Sequence, residues 1–143
     1  MTLIVDASVA LKWFIRDEAQ GDEAKALLES AEALIAPELI VAEVCNAAWR
    51  GVRANRLRQE QAEAIARSLA GYFTSLLPSA GLAERAVIIS GQLNHAVYDC
   101  FYLALAEISD VPLVTADARL LRRVDGTMWS ARSRALADYR PGA

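Results

Sequence analysis

Asp6, Glu43, Asp99 and Asp117 are the residues of this chain whose type and placement can do chemistry. Asp6 closes the run Leu3-Ile4-Val5, and Asp117 follows Leu113-Val114-Thr115 by two residues. Both therefore belong at the carboxyl edge of a sheet, where open α/β sheets bind ligands. Asp6, Asp99 and Asp117 also stand at or near helix starts, where a carboxylate caps free N–H groups and meets the positive end of the dipole. Each of the three thus has a structural reading beside the chemical one. Glu43 has neither capping nor solvation to explain it. It lies mid-helix in Leu39-Ile40-Val41-Ala42-Glu43-Val44-Cys45-Asn46-Ala47-Ala48, where the only other polar residue is Asn46, three positions on and on the same face. A buried, unpaired carboxylate is costly or takes up a proton, so Glu43 calls for a cation, a proton or a metal ion as partner. Arg50, one turn beyond Asn46, offers an internal salt bridge as the alternative to a bound ion. Asp99 repeats the oddity, opening the apolar run Cys100-Phe101-Tyr102-Leu103-Ala104-Leu105-Ala106.

His95 is the single histidine, which excludes a multi-histidine zinc site and leaves little for a serine or cysteine triad. A Cys100 and His95 pair has nothing else to support it, and His95 reads as a surface or loop residue. A cluster of carboxylates offering only oxygen donors suits the hard cations Mg²⁺ and Mn²⁺. That chemistry points to phosphodiesters: a pair of such ions about 3.5–4 Å apart activates water for in-line attack and stabilises the leaving oxygen without a histidine. Ser8 and Thr115, each two residues from a candidate ligand, can orient those carboxylates, or can be ordinary caps. Asn46 is a third supporting candidate. There is no glycine-rich phosphate loop and no dinucleotide fingerprint.

These acids need a scaffold in which short β-branched or leucine-rich runs alternate with longer helical stretches, the pattern of an α/β domain with a mainly parallel sheet. Strands are predicted at Thr2 to Asp6, Leu34 to Ala36, Thr74 to Leu77, Leu113 to Thr115 and, weakly, Thr127 to Trp129. Pro37, Pro78 and Pro112 punctuate three of them. Helices are predicted at Ser8 to Phe14, Gln20 to Ala31, Glu38 to Asn55, Gln59 to Tyr72, Ala80 to Leu93, Tyr98 to Ser109 and Ala118 to Arg123. Arg16 to Glu23 reads as a charged surface connection, and Ser130 to Ala143 as a frayed helix or tail.

The 143 residues, 55 % of them apolar, form a single domain over 1–143, with no repeat and no linker. No apolar run reaches the roughly 20 residues of a membrane span, and the first residues lack the features of a signal peptide; a cytoplasmic protein is expected. Cys45 and Cys100 suit buried, reduced core thiols. The net charge of -3 conceals an asymmetry: Met1 to Trp49 hold nine of the 18 carboxylates but three of the 15 cations. The densest basic group, Arg50, Arg53, Arg56 and Arg58, leaves the end of the helix that carries Glu43, and Arg119, Arg122 and Arg123 follow Asp117. Basic groups beside an acidic site can hold a nucleic acid through its phosphates, or can simply complement helix ends.

Four segments resemble the PIN domains, and within them the VapC toxins of toxin-antitoxin pairs. They are Val5-Asp6-Ala7-Ser8-Val9-Ala10-Leu11-Lys12-Trp13, Pro37 to Ala47 around Glu43, Val97-Tyr98-Asp99-Cys100 to Ala106, and Leu113-Val114-Thr115-Ala116-Asp117 with Leu120. They are spread from Val5 to Leu120, most of the length of the chain, in family order. The resemblance implies a PIN-like three-layer fold with a central, mainly parallel sheet of about five strands flanked by helices. It also implies Mg²⁺-dependent endoribonuclease activity, homodimerisation and a cognate VapB-like antitoxin that covers the acidic groove. Asp6, Glu43, Asp99 and Asp117 match the family's acids in position and take the roles of catalytic and metal-binding residues. The helix from Glu38 to Asn55 has more apolar surface than one sheet face covers, in keeping with a dimer.

Two other readings compete. A phosphatase of the haloacid dehalogenase type would use Asp6 as nucleophile, but usually carries a second Asp two residues on, where this chain has Ser8. A non-catalytic RNA-binding or regulatory module would pair its acids internally with residues such as Arg50.

Overall fold

A computed structural model describes residues 1–15 and 19–141. Residues 16–18, within the predicted charged connection, and 142–143, at the end of the predicted tail, lie outside the described residues.

Five strands form one parallel sheet in the order β3-β2-β1-β4-β5: β1 (Thr2–Val5), β2 (Ala33–Pro37), β3 (Ser75–Leu77), β4 (Leu113–Thr115) and β5 (Ser133–Ala135). Leu3, Ile4 and Val5 are all buried, as are all three residues of β4. Continuous burial without alternation is the signature of central strands covered on both faces. That is why these segments read as unbroken apolar runs.

The helices are α1 (Ala7–Ala10), α2 (Gly21–Ser30), α3 (Leu39–Arg53), α4 (Gln59–Ser68), α5 (Ala83–Leu93), α6 (Val97–Ser109) and α7 (Ala118–Val124). Short 3₁₀ turns extend α1 and α4 and precede α5, where continuous helices were expected. Helix α6, buried along Tyr102 to Ala106, packs against α5 and against β1, β2 and β4. Asn94 and Asp110, with φ of 50° and 54°, bracket it; Asn ends α5 in the left-handed cap conformation that its short polar side chain tolerates.

The chain passes from β1 outward to β2 and β3, then returns to place β4 on the other side of β1. Neighbouring parallel strands therefore diverge in connectivity at their carboxyl ends, which opens a crevice above β1 and β4. In-register pairing of Val5 with Val114 brings the residues that follow those strands to one place.

The fifth strand is not where the sequence suggested. Thr127 to Trp129 is a turn, in which Thr127 Oγ1 donates to the Val124 carbonyl and Trp129 is buried. The edge strand is Ser133–Ala135, inside the segment read as a frayed helix or tail. It has no β-branched residue; pairing with β4 and the buried Leu136 just beyond it hold it in place, so tertiary context overrides propensity. Of the two thiols, Cys100 is buried as expected and Cys45 is only half-buried.

Away from the crevice, Arg85 on α5 grips Glu107 on α6 through two hydrogen bonds of 2.6 and 2.7 Å. The guanidinium holds the Glu107 carboxyl below its usual range. A depressed native pKa means stability that is present above about pH 4.5 and is lost as pH falls through the native value. Glu107→Gln should accordingly lower the melting temperature at pH 7, with the gap to the parent closing by pH 3; an equal gap at both pH values would remove the ion pair from the account.

Candidate active site

The crevice is a cavity of about 780 Å³ whose walls include Asp6, Glu43, Asp99 and Asp117, together with Ser8, Asn46, Arg50 and Tyr102. Segments separated by up to 111 positions thus deliver all four predicted acids to one space. Asp6 arrives on the end of β1, Glu43 from the second turn of α3, Asp99 from the first turn of α6, and Asp117 as the cap of α7.

Asp6 is 4 % exposed. Its Oδ1 accepts from Ser8 Oγ (2.5 Å) and the Val9 amide (3.3 Å), and its Oδ2 from Thr115 Oγ1. Thr115 in turn accepts the Asp117 amide (3.0 Å), and Ser8 the Ala116 amide (3.0 Å), so the two hydroxyls tie the ends of β1 and β4 together. Burial pushes the Asp6 carboxyl up to about 6; the two hydroxyls oppose that rise and the negative charge of Asp99 adds to it. Glu43 is likewise raised, mainly by burial, against the hydrogen bond it accepts from Tyr102 Oη (2.6 Å). Asp99 Oδ2 meets His95 Nε2 at 2.5 Å. Asp117 Oδ1 accepts the amides of Arg119 (2.9 Å) and Leu120 (3.2 Å).

Capping and site chemistry therefore coexist: Asp6 and Asp117 are both N-caps and cavity residues. Among the described residues, Glu43 Oε2, Asp99 Oδ1 and Asp117 Oδ2 accept no hydrogen bond from the protein. Nor do any three His, Cys, Asp or Glu side chains among the described residues form a ready-made ligand set, since each acid is turned toward its own protein donor. The donor set still fits a hard cation. It is all oxygen, three of its carboxylates keep an uncommitted oxygen, and Asp6 and Glu43 are raised by desolvation with the charge of Asp99 adding to it, a condition a cation relieves. Arg50 lines the same cavity yet pairs with none of the four acids.

The model of the PIN domain matches residues 3–127. The ribonuclease VapC9 of Mycobacterium tuberculosis is 33 % identical over 118 residues, which are 82 % of this chain and 87 % of that protein. This chain belongs to the VapC branch of the PIN-domain family. Ribonuclease VapC1 of the same organism is 39 % identical over 87 residues, 59 % of this chain, and the match spans 63 % of that relative's length. Among solved structures, PAE2754 from Pyrobaculum aerophilum superposes with a TM-score of 0.70 at 23 % identity, over 96 % of this chain and 85 % of that one. A toxin-antitoxin complex from Klebsiella pneumoniae gives 0.64 at 20 % identity, over 89 % and 93 %. Both likenesses concern the fold.

In this PIN domain the supporting residues divide. Ser8 and Thr115 hold Asp6, whereas Asn46 lines the cavity but bonds none of the acids. Of the seven arginines singled out, Arg50 alone lines the cavity; Arg53 lies over the Trp49 ring, 5.4 Å from its centroid. Two residues escaped sequence reasoning. His95 is a loop residue, but its side chain is 5 % exposed and turned inward onto Asp99 rather than out to solvent. Tyr102 passed as one more apolar residue of α6, although a buried phenol must find a hydrogen-bond partner, and that requirement was a readable signal. Burial, with Asp99 adding to it, pushes the Cys100 thiol up to about 11. A thiol neutral at physiological pH whose Sγ donates to the Ala96 carbonyl is no nucleophile.

Proposed function

We propose that this PIN domain is a Mg²⁺- or Mn²⁺-dependent endoribonuclease that acts as the toxin of a toxin-antitoxin pair. The observation that carries the reading is the convergence of four carboxylates, without a neutralising arginine, on one crevice at the switch point of the sheet. Asp6, Glu43, Asp99 and Asp117 would hold the ion, which when bound supplies water activation and neutralises charge on the phosphate. The chain's own groups do the rest. Ser8 and Thr115 keep Asp6 aimed into the crevice, and Arg50 on its wall offers a fork of donors to a phosphodiester. The relatives named as ribonucleases support RNA as substrate, and the toxin-antitoxin neighbour supports an antitoxin partner. Among the described residues no helix is long and apolar enough to cross a membrane, and we place the protein in the cytoplasm. Trp49, 53 % exposed on α3, supports a homodimer.

The phosphatase alternative loses its footing: both Asp6 oxygens accept hydrogen bonds, and position 8 supplies a hydroxyl to Asp6 instead of a second acid. The internally paired module fares no better, because Arg50 does not bridge to Glu43. Purified protein incubated with total RNA should cleave it in Mg²⁺, stop on addition of EDTA and resume with excess Mn²⁺. Cleavage that survives chelation would overturn the metal mechanism.

A further inference from the structure

Glu43 projects from α3 and Asp99 from α6, and a 2.6 Å hydrogen bond from Tyr102 Oη to Glu43 Oε1 links the two helices inside the crevice. Tyr102 is 1 % exposed, so its ring is locked in the core. It stands three residues after Asp99, one turn on along the same side of α6. A serine or threonine at this position would be too short to span the gap, and a phenylalanine would fill the space without a donor. The phenol is a rigid strut with only two side-chain torsions. It commits one oxygen of Glu43 and leaves Oε2 uncommitted.

We propose that Tyr102 is a positioning residue of this site: its buried hydroxyl fixes the Glu43 carboxylate relative to Asp99, so that the two acids present their uncommitted oxygens to one cation. The inference rests on the metal-dependent reading above. Groups that orient a metal's ligands typically contribute about 10- to 100-fold to affinity or activity. Burial and the surrounding carboxylates hold the phenol protonated, so it donates across the physiological range. The strut is therefore a constant part of the site.

The test is Tyr102→Phe in the full chain, which keeps the ring and removes the donor. Mn²⁺ affinity, read by calorimetric titration without RNA, should fall by about tenfold or more. In the cleavage assay kcat should fall by a similar factor while KM for RNA stays within about twofold. In a Glu43→Ala background the same Tyr102→Phe change should have no further effect on Mn²⁺ affinity, because the tyrosine acts through Glu43. Unchanged Mn²⁺ affinity in Tyr102→Phe, or an equal loss in both backgrounds, overturns the proposal. If Tyr102→Phe does not fold, Glu43→Asp takes its place, since it withdraws the carboxylate from the hydroxyl while keeping the charge; wild-type affinity there overturns the strut. A parent protein that binds Mn²⁺ but cleaves no RNA defeats the ribonuclease reading and leaves Tyr102 to be judged by affinity. A parent that binds no Mn²⁺ defeats both.

Discussion

Asp6→Asn is expected to reduce RNA cleavage by at least about a hundredfold and, without metal, to make the protein more stable at pH 7.5. The two effects share one cause. Asp6 is buried, and its carboxyl is raised from 3.8 to about 6, so it is charged at pH 7.5 against the preference of its surroundings. That shift corresponds to about 3 kcal/mol of destabilisation. The amide forgoes it but also gives up part of the carboxylate's hydrogen bonds to Ser8 and Thr115, leaving a net gain of about 1–2 kcal/mol. The pH dependence has a definite sign. The native state binds the proton more tightly than the unfolded chain, so metal-free stability falls as pH rises from about 4 to 6 and is flat beyond. In Asp6→Asn this slope should shrink, leaving the smaller fall contributed by Glu43, whose carboxyl is also raised by burial. Chemical denaturation at pH 5 and 7.5 in EDTA measures it; a parent protein no more stable at pH 5 than at 7.5 would show that Asp6 is not held charged against its environment.

Thr115→Val should be among the most damaging conservative changes in the chain. The side chain is fully buried, and its hydroxyl donates to Asp6 Oδ2 while accepting the Asp117 amide at 3.0 Å. Valine matches the shape and strands both partners: a carboxylate oxygen loses a donor and a backbone N–H loses its acceptor. The expected cost is about 2–4 kcal/mol at pH 8. Loss of the hydroxyl raises the Asp6 carboxyl further, so the deficit should shrink toward pH 5, where the protonated acid needs the donor less. Thr115→Ser, which keeps the oxygen, should recover most of the loss. If Thr115→Val unfolds within about 0.5 kcal/mol of the parent, the hydroxyl bridge between β1 and β4 contributes little. Both changes act on Asp6, so their effects should couple rather than add.

Much of this architecture was legible from local pattern. Leu3-Ile4-Val5 and Leu113-Val114-Thr115 read as covered parallel strands because residues buried on both faces leave no alternation, and the acids that follow them read as edge residues for the same reason. Glu43 was legible by contradiction, a charge at the centre of an apolar helix. The fifth strand was not, because Ser133-Arg134-Ala135 has no strand propensity of its own and exists through its ladder with β4. His95 and Tyr102 were hidden for a related reason. Each is ordinary in its own segment and gains meaning only from its partner, Asp99 one turn away and Glu43 59 positions away.

The sequence by itself determined the order of the elements as far as α7 and singled out the four acids, because hydrophobic periodicity and misplaced charge are local properties. The tertiary structure alone decided that these acids meet in one crevice, that Arg50 lines it without neutralising them, and which hydroxyls and imidazole hold Asp6, Glu43 and Asp99. Those outcomes depend on strand order and helix packing, which bring distant side chains within hydrogen-bonding reach, and sequence spacing carries no record of such distances.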